Sequence, residues 1–203
     1  AMALYHFDGC IVKDASANGL HGSLSTTTAN NPTGTAGGKF GNGLTFGGAK
    51  RVSIADDPQL DFGAATDFTI EAWIKTSSGS DGDIIVKRAS DAATTGYLIK
   101  YNGIAGTVSA AISDGTDTAS PTNGATVNDG GWHHVALVAD RDGNATLFVD
   151  GTAGATAAMG AVGDIDNAAN LGIGANPNSG ANFFDGDIDE VRVSSGLRYS
   201  ADF

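Results

Sequence analysis

Short segments in which apolar and polar residues alternate make up most of the chain, and turns rich in Gly, Asn and Asp separate them. Alternation with a period of two is typical of a strand with one buried face, and no stretch shows a useful 3.6-residue period. The pattern predicts an almost entirely β protein in which two antiparallel sheets pack as a sandwich. The predicted strands span residues 4–7, 43–46, 51–54, 68–75, 83–87, 97–101, 107–113, 132–140, 146–150, 170–173 and 184–193.

The clearest local unit is the segment WHHVALVADRDGNATLFVDG, residues 132–151, in which two alternating runs flank Asp142 and Gly143. This dipeptide readily supplies the positive φ of a tight turn, so a β-hairpin is predicted there. The same segment does not fit an EF-hand calcium loop, which needs Gly at its sixth position and Glu at its twelfth. Counted from Asp140, Gly143 is fourth and Gly151 is twelfth.

The length of 203 residues and a hydrophobic fraction of 41% suffice for a substantial core. We see no internal repeat, charge block or Pro-rich linker, so residues 1–203 are expected to form a single domain. Two Gly-rich segments, 33–43 and 114–131, are interpreted as loops within it.

Charge and cysteine content exclude several classes of function. The formal net charge of −12 disfavours nucleic acid and anionic membranes as partners. Of the 23 acidic residues only Glu71 and Glu190 are glutamates, and the many Asp residues suit either turns or calcium. The lone Cys10 excludes an intramolecular disulfide, and no apolar run approaches the ~18 residues needed for membrane insertion.

Four segments, taken in order, resemble a known superfamily. They are LYHFDG…DASANGLHGSL, GGKFGNGLTFGG, FTIEAWIK with WHHVALVAD…LFVDG, and FDGDIDEVRVSSGLRY, and together they run from Leu4 to about Phe203. They resemble the concanavalin A-like lectin/glucanase jelly roll, in its laminin-G-like, pentraxin-like branch.

The resemblance implies a jelly-roll β-sandwich of two curved antiparallel sheets with adjacent terminal strands. It implies a non-catalytic, lectin-like carbohydrate-binding or adhesion module, extracellular or surface-associated, whose partner is a glycan or polysaccharide. A structural or protein-interaction module of a larger bacterial surface or phage tail protein is the alternative, since a fold does not fix a function.

The resemblance also implies a structural Ca²⁺ ion near the terminal strands. Its matching ligands are the carboxylates of Asp8 and Asp189 and the backbone carbonyls of Lys39 and Asn42. Calcium takes six to eight oxygen ligands, which such a set can begin to supply. Alternatively, Asp8 opens a turn and Asp189 is a solvated strand residue.

A glycan surface is expected on one face of the predicted sheets. Alternation places Phe68, Ile70, Ala72 and Ile74 on one face, and Thr69, Glu71, Trp73 and Lys75 on the other. In the last strand it separates Asp189, Val191 and Val193 from Glu190 and Arg192. Lys100 likewise alternates with the expected core residues Tyr97 and Tyr101, so the predicted surface carries Glu71, Trp73, Lys100, Glu190 and Arg192. Alternatively, a crossing loop covers Trp73 and Glu71 neutralises Arg192.

Three loops are alternative binding rims: 90–95, 113–123 and 176–184, the last with Phe183 and Phe184 predicted on opposite sides of a strand. Glycoside hydrolysis is disfavoured, because the Glu-x-Asp-x-x-Glu arrangement of laminarinase-type glucanases lacks its first Glu in DGDIDEV. The consecutive His133 and His134 point to opposite faces of a strand and are poor joint zinc ligands.

Overall fold

The computed structural model describes residues 1–8, 12–24, 30–90 and 94–203, so Cys10 lies outside the described residues. Its strands form two antiparallel sheets of nine and eight strands, which confirms the predicted sandwich. No helix in the described ranges is long and apolar enough to cross a membrane. The strands are β1 (Ala3–Tyr5), β2 (Gly22–Leu24), β3 (Thr33–Thr35), β4 (Gly43–Phe46), β5 (Val52–Ile54), β6 (Phe68–Lys75), β7 (Gly82–Lys87), β8 (Gly96–Asn102), β9 (Thr107–Ser113), β10 (Thr118–Ala119), β11 (Thr122–Asn123), β12 (Trp132–Ala139), β13 (Asn144–Val149), β14 (Thr152–Ala153), β15 (Ala157–Ala158), β16 (Leu171–Ile173) and β17 (Gly186–Ser195).

The nine-stranded sheet has the order β14-β13-β12-β6-β17-β4-β3, with β1 paired to β17 and β15 to β13. The eight-stranded sheet has the order β10-β9-β8-β7-β16-β5-β2, with β11 paired to β9. The terminal strands β1 and β17 are therefore adjacent, as predicted.

The core lies between the two sheets. The apolar side chains of β6, from Phe68 to Ile74, are fully buried there, and Tyr97, Ile99 and Tyr101 of β8 enter the same core from the other sheet. Successive side chains on a strand point to opposite faces. Glu71, Trp73 and Lys75 of β6 therefore lie on the outer face of the nine-stranded sheet.

A β-bulge in β17 corrects the predicted alternation of that strand. Asp189 lies opposite Trp73 and Arg192 opposite Glu71, so an extra residue is accommodated between them. Glu190, with φ 52°, takes the left-handed conformation at this point. As a result Asp189 shares the outer face with Trp73 and Arg192, and the prediction that it lies with Val191 and Val193 was wrong.

The predicted β12–β13 hairpin is present, but its turn differs from the prediction. Gly143 N donates to the Asp140 carbonyl at 3.1 Å, and neither Asp142 nor Gly143 is among the residues with positive φ. The two-residue turn with positive φ instead joins β13 to β14, where Asp150 has φ 48° and Gly151 φ 77°.

Many aspartates serve the turns, as their abundance indicated. At six positions the carboxylate accepts a hydrogen bond from the backbone N–H two residues further on. These residues are Asp14, Asp57, Asp114, Asp129, Asp140 and Asp164.

Candidate functional site: an aromatic cleft on the nine-stranded sheet

A cleft of about 360 Å³ opens on the outer face of the nine-stranded sheet, and aromatic rings form most of its walls. Trp73 of β6 and His134 of β12 are opposite each other in register, with ring centroids 5.2 Å apart. Tyr199 and Phe203 form the facing wall, stacked at 3.6 Å between centroids. Asp150 and Gly151 complete the lining.

The facing wall comes from the C-terminal segment, residues 196–203, which crosses the sheet. Gly196 N donates to the Asp67 carbonyl at 2.6 Å and Phe203 N to the Gly151 carbonyl at 3.0 Å. A Cβ atom at Gly151 would lie 1.9 Å from the Phe203 oxygen, and its φ is positive. Glycine is therefore required where the segment approaches the β13–β14 turn.

Glu71 lies beneath this segment and is almost fully buried. Its Oε1 atom is 3.0 Å from Arg198 Nε and 3.9 Å from Arg192 Nε, and Oε2 is 3.8 Å from His134 Nε2. Arg198, which the sequence did not single out, is thus its nearest cation. Glu71 anchors the C-terminal segment to the sheet and is not open to a ligand, although Arg192 does share the outer face with it.

Trp73 is partly covered by the loop of residues 36–42. Lys39 Nζ lies 3.9 Å from the centroid of its ring, a cation–π contact, and Phe40 meets the ring edge-on at 6.2 Å. The alternative prediction, in which a loop covers Trp73, is therefore correct for part of the ring. The rest of the ring still lines the cleft.

Two polar residues line the cleft, His134 and Asp150, and they differ in their hydrogen bonds. Burial lowers the pKa of His134, despite the nearby Glu71 and Asp150 carboxylates, and so keeps the imidazole neutral at pH 7. Its buried Nδ1 atom has no hydrogen-bond partner among the described residues. Asp150 accepts from the His134 backbone N–H at 2.8 Å, which fixes its carboxylate at the rim.

His133 and His134 have separate partners, as their opposite orientations predicted. His133 Nδ1 is 2.7 Å from Asp150 Oδ2, and its Nε2 is 3.0 Å from Asp129 Oδ1. Partial burial opposes protonation of His133, but the hydrogen bonds to Asp150 and Asp129 outweigh it and raise the pKa. A raised folded-state pKa adds stability that is fully present below the unfolded value and is lost as the pH rises through the folded value.

We therefore expect His133→Gln to cost about 0.5–1 kcal/mol of unfolding free energy at pH 5.5 and less at pH 8.5. Urea unfolding at the two pH values measures the difference. His134→Gln is the control, and its effect on the free energy of unfolding should depend on pH in the opposite direction. The pKa of His134 is lowered in the folded state, so this histidine destabilises the native protein in acid, and its removal should relieve that loss. A pH-independent cost of His133→Gln would contradict the assignment.

Lys100 was wrongly placed on the predicted glycan surface. It lies on β8 in the eight-stranded sheet, where its Nζ is 3.2 Å from Asp81. Alternation correctly identified it as outward-facing, but the pattern within one strand does not reveal which sheet that strand joins. Glu190 lies at the β17 bulge and its Oε1 is 2.7 Å from His6 Nδ1.

The loops 90–95 and 176–184 are two of the predicted alternative binding rims. Residues 91–93 of the 90–95 loop lie outside the described residues. Phe184 is fully buried and precedes β17, while Phe183 is half-buried with Arg51 6.0 Å from its ring centroid. Neither residue lies within β17, because that strand begins at Gly186 and not at residue 184 as predicted.

The two predicted calcium-binding carboxylates both contact the 36–42 loop, which contains Lys39 and Asn42. Asp8 Oδ1 accepts from Asn42 N at 3.1 Å, and Asp189 Oδ2 accepts from Phe40 N at 3.0 Å. The loop turns tightly, since a Cβ atom at Gly38 would lie 2.6 Å from the Asn42 carbonyl oxygen. The Lys39 side chain points to Trp73, which leaves its backbone as the candidate ligand.

The residues present fit a cation. Asp189 is completely buried and forms no ion pair with a described residue. Burial raises its pKa against the N–H donors of Phe40 and Glu190, so a bound cation would relieve a desolvated carboxylate. No group of three or more His, Cys, Asp and Glu is arranged for a metal in the described ranges, so further oxygens would have to be carbonyls or water.

Several solved structures have a fold similar to that of this chain. The binding domain of Paraclostridial Mosquitocidal Protein 1 has a TM-score of 0.79 at 15% identity, over 98% of this chain and 49% of that one. Domain 4 of AbnA, a GH43 extracellular arabinanase from Geobacillus stearothermophilus, in complex with arabinotriose, has a TM-score of 0.71 at 16% identity, over 97% and 92%. The binding domain of botulinum neurotoxin DC in complex with rat synaptotagmin II has a TM-score of 0.70 at 12% identity, over 94% and 47%.

This chain thus spans about half of the mosquitocidal and botulinum domains. No curated protein matches its sequence. The Laminin_G_3 model, described as concanavalin A-like lectin/glucanases superfamily, matches residues 46–202. Because that match covers well over half of the sequence, the chain belongs to the Laminin_G_3 family.

Proposed function

We propose that the protein is a non-catalytic carbohydrate-binding module that holds a glycan in the aromatic cleft. The observation that carries the proposal is the pairing of a Trp73 wall with the stacked Tyr199 and Phe203 rings across an open cavity. Aromatic walls with a few fixed polar groups are typical of ligand sites. The apolar face of a sugar ring can pack on the aromatic rings, while the Asp150 carboxylate at the rim can accept hydrogen bonds from its hydroxyl groups.

The comparisons support a binding role in two ways. The arabinanase domain, which has nearly the same length as this chain, was solved with arabinotriose bound. The toxin structures are binding domains, one of them in complex with a protein. An extracellular or surface location, with a role in adhesion, is part of the proposal, since the arabinanase is extracellular.

The two glutamates support a role without catalysis. Hydrolysis needs a pair of carboxyl groups placed on either side of a glycosidic bond. Glu71 is buried against Arg198, and Glu190 is paired with His6 outside the cleft lining. Neither glutamate lines the cleft in which we place the sugar.

We also propose that a structural Ca²⁺ ion is held by Asp8 and Asp189 with the carbonyls of Lys39 and Asn42. The buried Asp189 carboxylate, which forms no ion pair with a described residue, supports it. The 36–42 loop would then be fixed at both carboxylates, and this loop also carries Lys39 and Phe40 against Trp73. The ion would act on the cleft only by ordering this loop.

The Trp73→Ala variant tests the proposal, with Trp132→Ala as a matched control, because the chain has two tryptophans and Trp132 does not line the cleft. Affinity gel electrophoresis with arabinan, β-glucan, xylan and galactan is the assay. We expect retardation by at least one neutral polysaccharide and about tenfold or greater weakening in Trp73→Ala, as for aromatic residues at binding hot spots. Trp132→Ala should bind like the unmodified protein.

Equal losses in both tryptophan variants would assign the glycan to another surface. If a folded protein binds no polysaccharide in this assay or on a glycan array, the carbohydrate proposal fails. The protein-interaction module would then be the better function.

A further inference from the structure

A second pocket lies on the opposite side of the sandwich, on the outer face of the eight-stranded sheet. It has a volume of about 190 Å³. Its floor is formed by β7 and β8, where Val86 is opposite Leu98 and Asp83 is opposite Lys100. The neighbouring Ile85 and Ile99 belong to the core cluster, so the floor residues face away from the core.

Arg88 is the residue of this pocket that has a buried polar atom without a hydrogen-bond partner among the described residues. That atom is Nε, and the residue is 8% exposed. Burial lowers the pKa of Arg88, and the Asp83 carboxylate opposes that shift. A guanidinium group that is desolvated but incompletely hydrogen-bonded is costly, so a planar anion placed against it would be favourable.

The rest of the pocket is built of fixed polar groups. Asp83 N donates to the Asn182 carbonyl at 2.8 Å, which holds the 176–184 loop against β7. Asn178 Nδ2 donates to the Arg88 carbonyl at 3.0 Å, so the same loop also fixes the backbone that carries Arg88. Asn176 is fully buried, and both Asn176 and Asn182 line the cavity. The loop thus contributes two asparagines to the lining that also contains Arg88.

We propose that this pocket binds the carboxylate of a uronic acid residue, with Arg88 as its carboxylate-binding side chain. The guanidinium fork matches a carboxylate in bidentate geometry, and Asp83 with the two asparagines suits the hydroxyl groups of the same ring. The cavity is smaller than the ~300–1,000 Å³ of sites for larger ligands, which fits one sugar ring. Asp83 and the net charge of −12 favour a singly charged ligand over phosphate.

Isothermal titration calorimetry of the intact protein tests this proposal. The probes are galacturonate and glucuronate, their methyl esters, galactose, glucose, trigalacturonate and inorganic phosphate. We expect at least one uronate to bind about tenfold or more tightly than its methyl ester, galactose, glucose and phosphate, because hydrogen bonds to charged groups are the stronger ones. Trigalacturonate carries the same sugar at the ends of a short chain. Comparing its affinity with that of galacturonate therefore shows whether the pocket takes the end of a polysaccharide or a free monosaccharide.

Three variants locate the site. Arg88→Gln should lose about tenfold or more in uronate affinity, and Lys75→Gln, which removes a charge near Asp187 outside this pocket, should change it by less than about threefold. Trp73→Ala should leave uronate binding unchanged, since it lies on the other sheet. If Arg88→Gln does not fold, the comparison of uronate with its methyl ester on the unmodified protein decides.

No uronate binding, equal affinity for acid and ester, or full binding in a folded Arg88→Gln variant would overturn the proposal. Loss of uronate binding in Trp73→Ala would place the ligand in the aromatic cleft instead and would also overturn it. A negative result in this calorimetry would not affect the proposal that the aromatic cleft binds a neutral glycan, which the electrophoresis assay tests separately.

Discussion

Replacing Lys87 by methionine is expected to lower the melting temperature by roughly 6–12 °C, which corresponds to about 3 kcal/mol in a chain of this length. Lys87 is fully buried, and its ammonium group lies 2.8 Å from Asp56, 2.6 Å from Asp61 and 2.6 Å from the Asn167 carbonyl. Methionine keeps the apolar stem but leaves two carboxylates without their cation. Both carboxylates are partly exposed, so the expected loss of about 3 kcal/mol is at the low end of the range for breaking a buried ion pair.

Lys75→Met is the matched control, because Lys75 Nζ is 3.9 Å from Asp187 and the side chain is 40% exposed. It should change stability by no more than about 0.5 kcal/mol. Adding Asp61→Asn to Lys87→Met should restore part of the loss, since it removes one uncompensated charge. A Lys87→Met protein that melts with the unmodified one would show that the three contacts add little.

Calcium is expected to raise the melting temperature by roughly 5–11 °C at a concentration about one hundred times its dissociation constant, since ligand linkage then contributes about 2.7 kcal/mol. The proposed ion would neutralise the buried Asp189 carboxylate and join it to Asp8 through the 36–42 loop. Differential scanning calorimetry in CaCl₂ and in EDTA measures the shift. Mg²⁺ should give little of it, because it demands a tighter octahedral geometry.

Asp189→Asn should abolish the response to calcium, whereas Asp187→Asn should keep it. Asp187 lies on the same strand but accepts from Thr45 Oγ1 at 2.6 Å and lies near Lys75, away from the loop. Identical melting in calcium and in EDTA, with no calcium found by elemental analysis, would refute the metal proposal. A response that survives in Asp189→Asn would move the ion elsewhere.

Backbone strain in the described residues concentrates at the proposed sites. Four residues other than glycine have positive φ: Phe7, Asp150, Asn182 and Glu190. Phe7 precedes Asp8 and Glu190 follows Asp189, while Asp150 and Asn182 line the two cavities. Such conformations cost energy and cluster at functional sites. No local sequence pattern predicts a positive φ at Phe7 or Glu190, because Phe and Glu are not typical turn residues.

The longer strands could be read from the sequence because each buries one face, which forces a period of two. The prediction for residues 68–75 coincides with β6 and that for 107–113 with β9. The edge strands β3 and β10, of three and two residues, lie in segments that the sequence predicts as loops. Two residues at a sheet edge are too few to show an alternation, and they pair only because the neighbouring strand offers free N–H and C=O groups.

Periodicity and composition predicted the β-sandwich, the outward position of Glu71 and Trp73 and the shortage of glutamates for hydrolysis. The adjacency of the terminal strands was implied by the family resemblance. Only the tertiary structure decided that Arg198 pairs with Glu71, that Tyr199 and Phe203 face Trp73, that Lys100 lies on the other sheet and that the bulge moves Asp189 outward. The physical reason is that alternation specifies which face a side chain takes within its own strand, whereas partners across the fold depend on strand order, register and crossing segments.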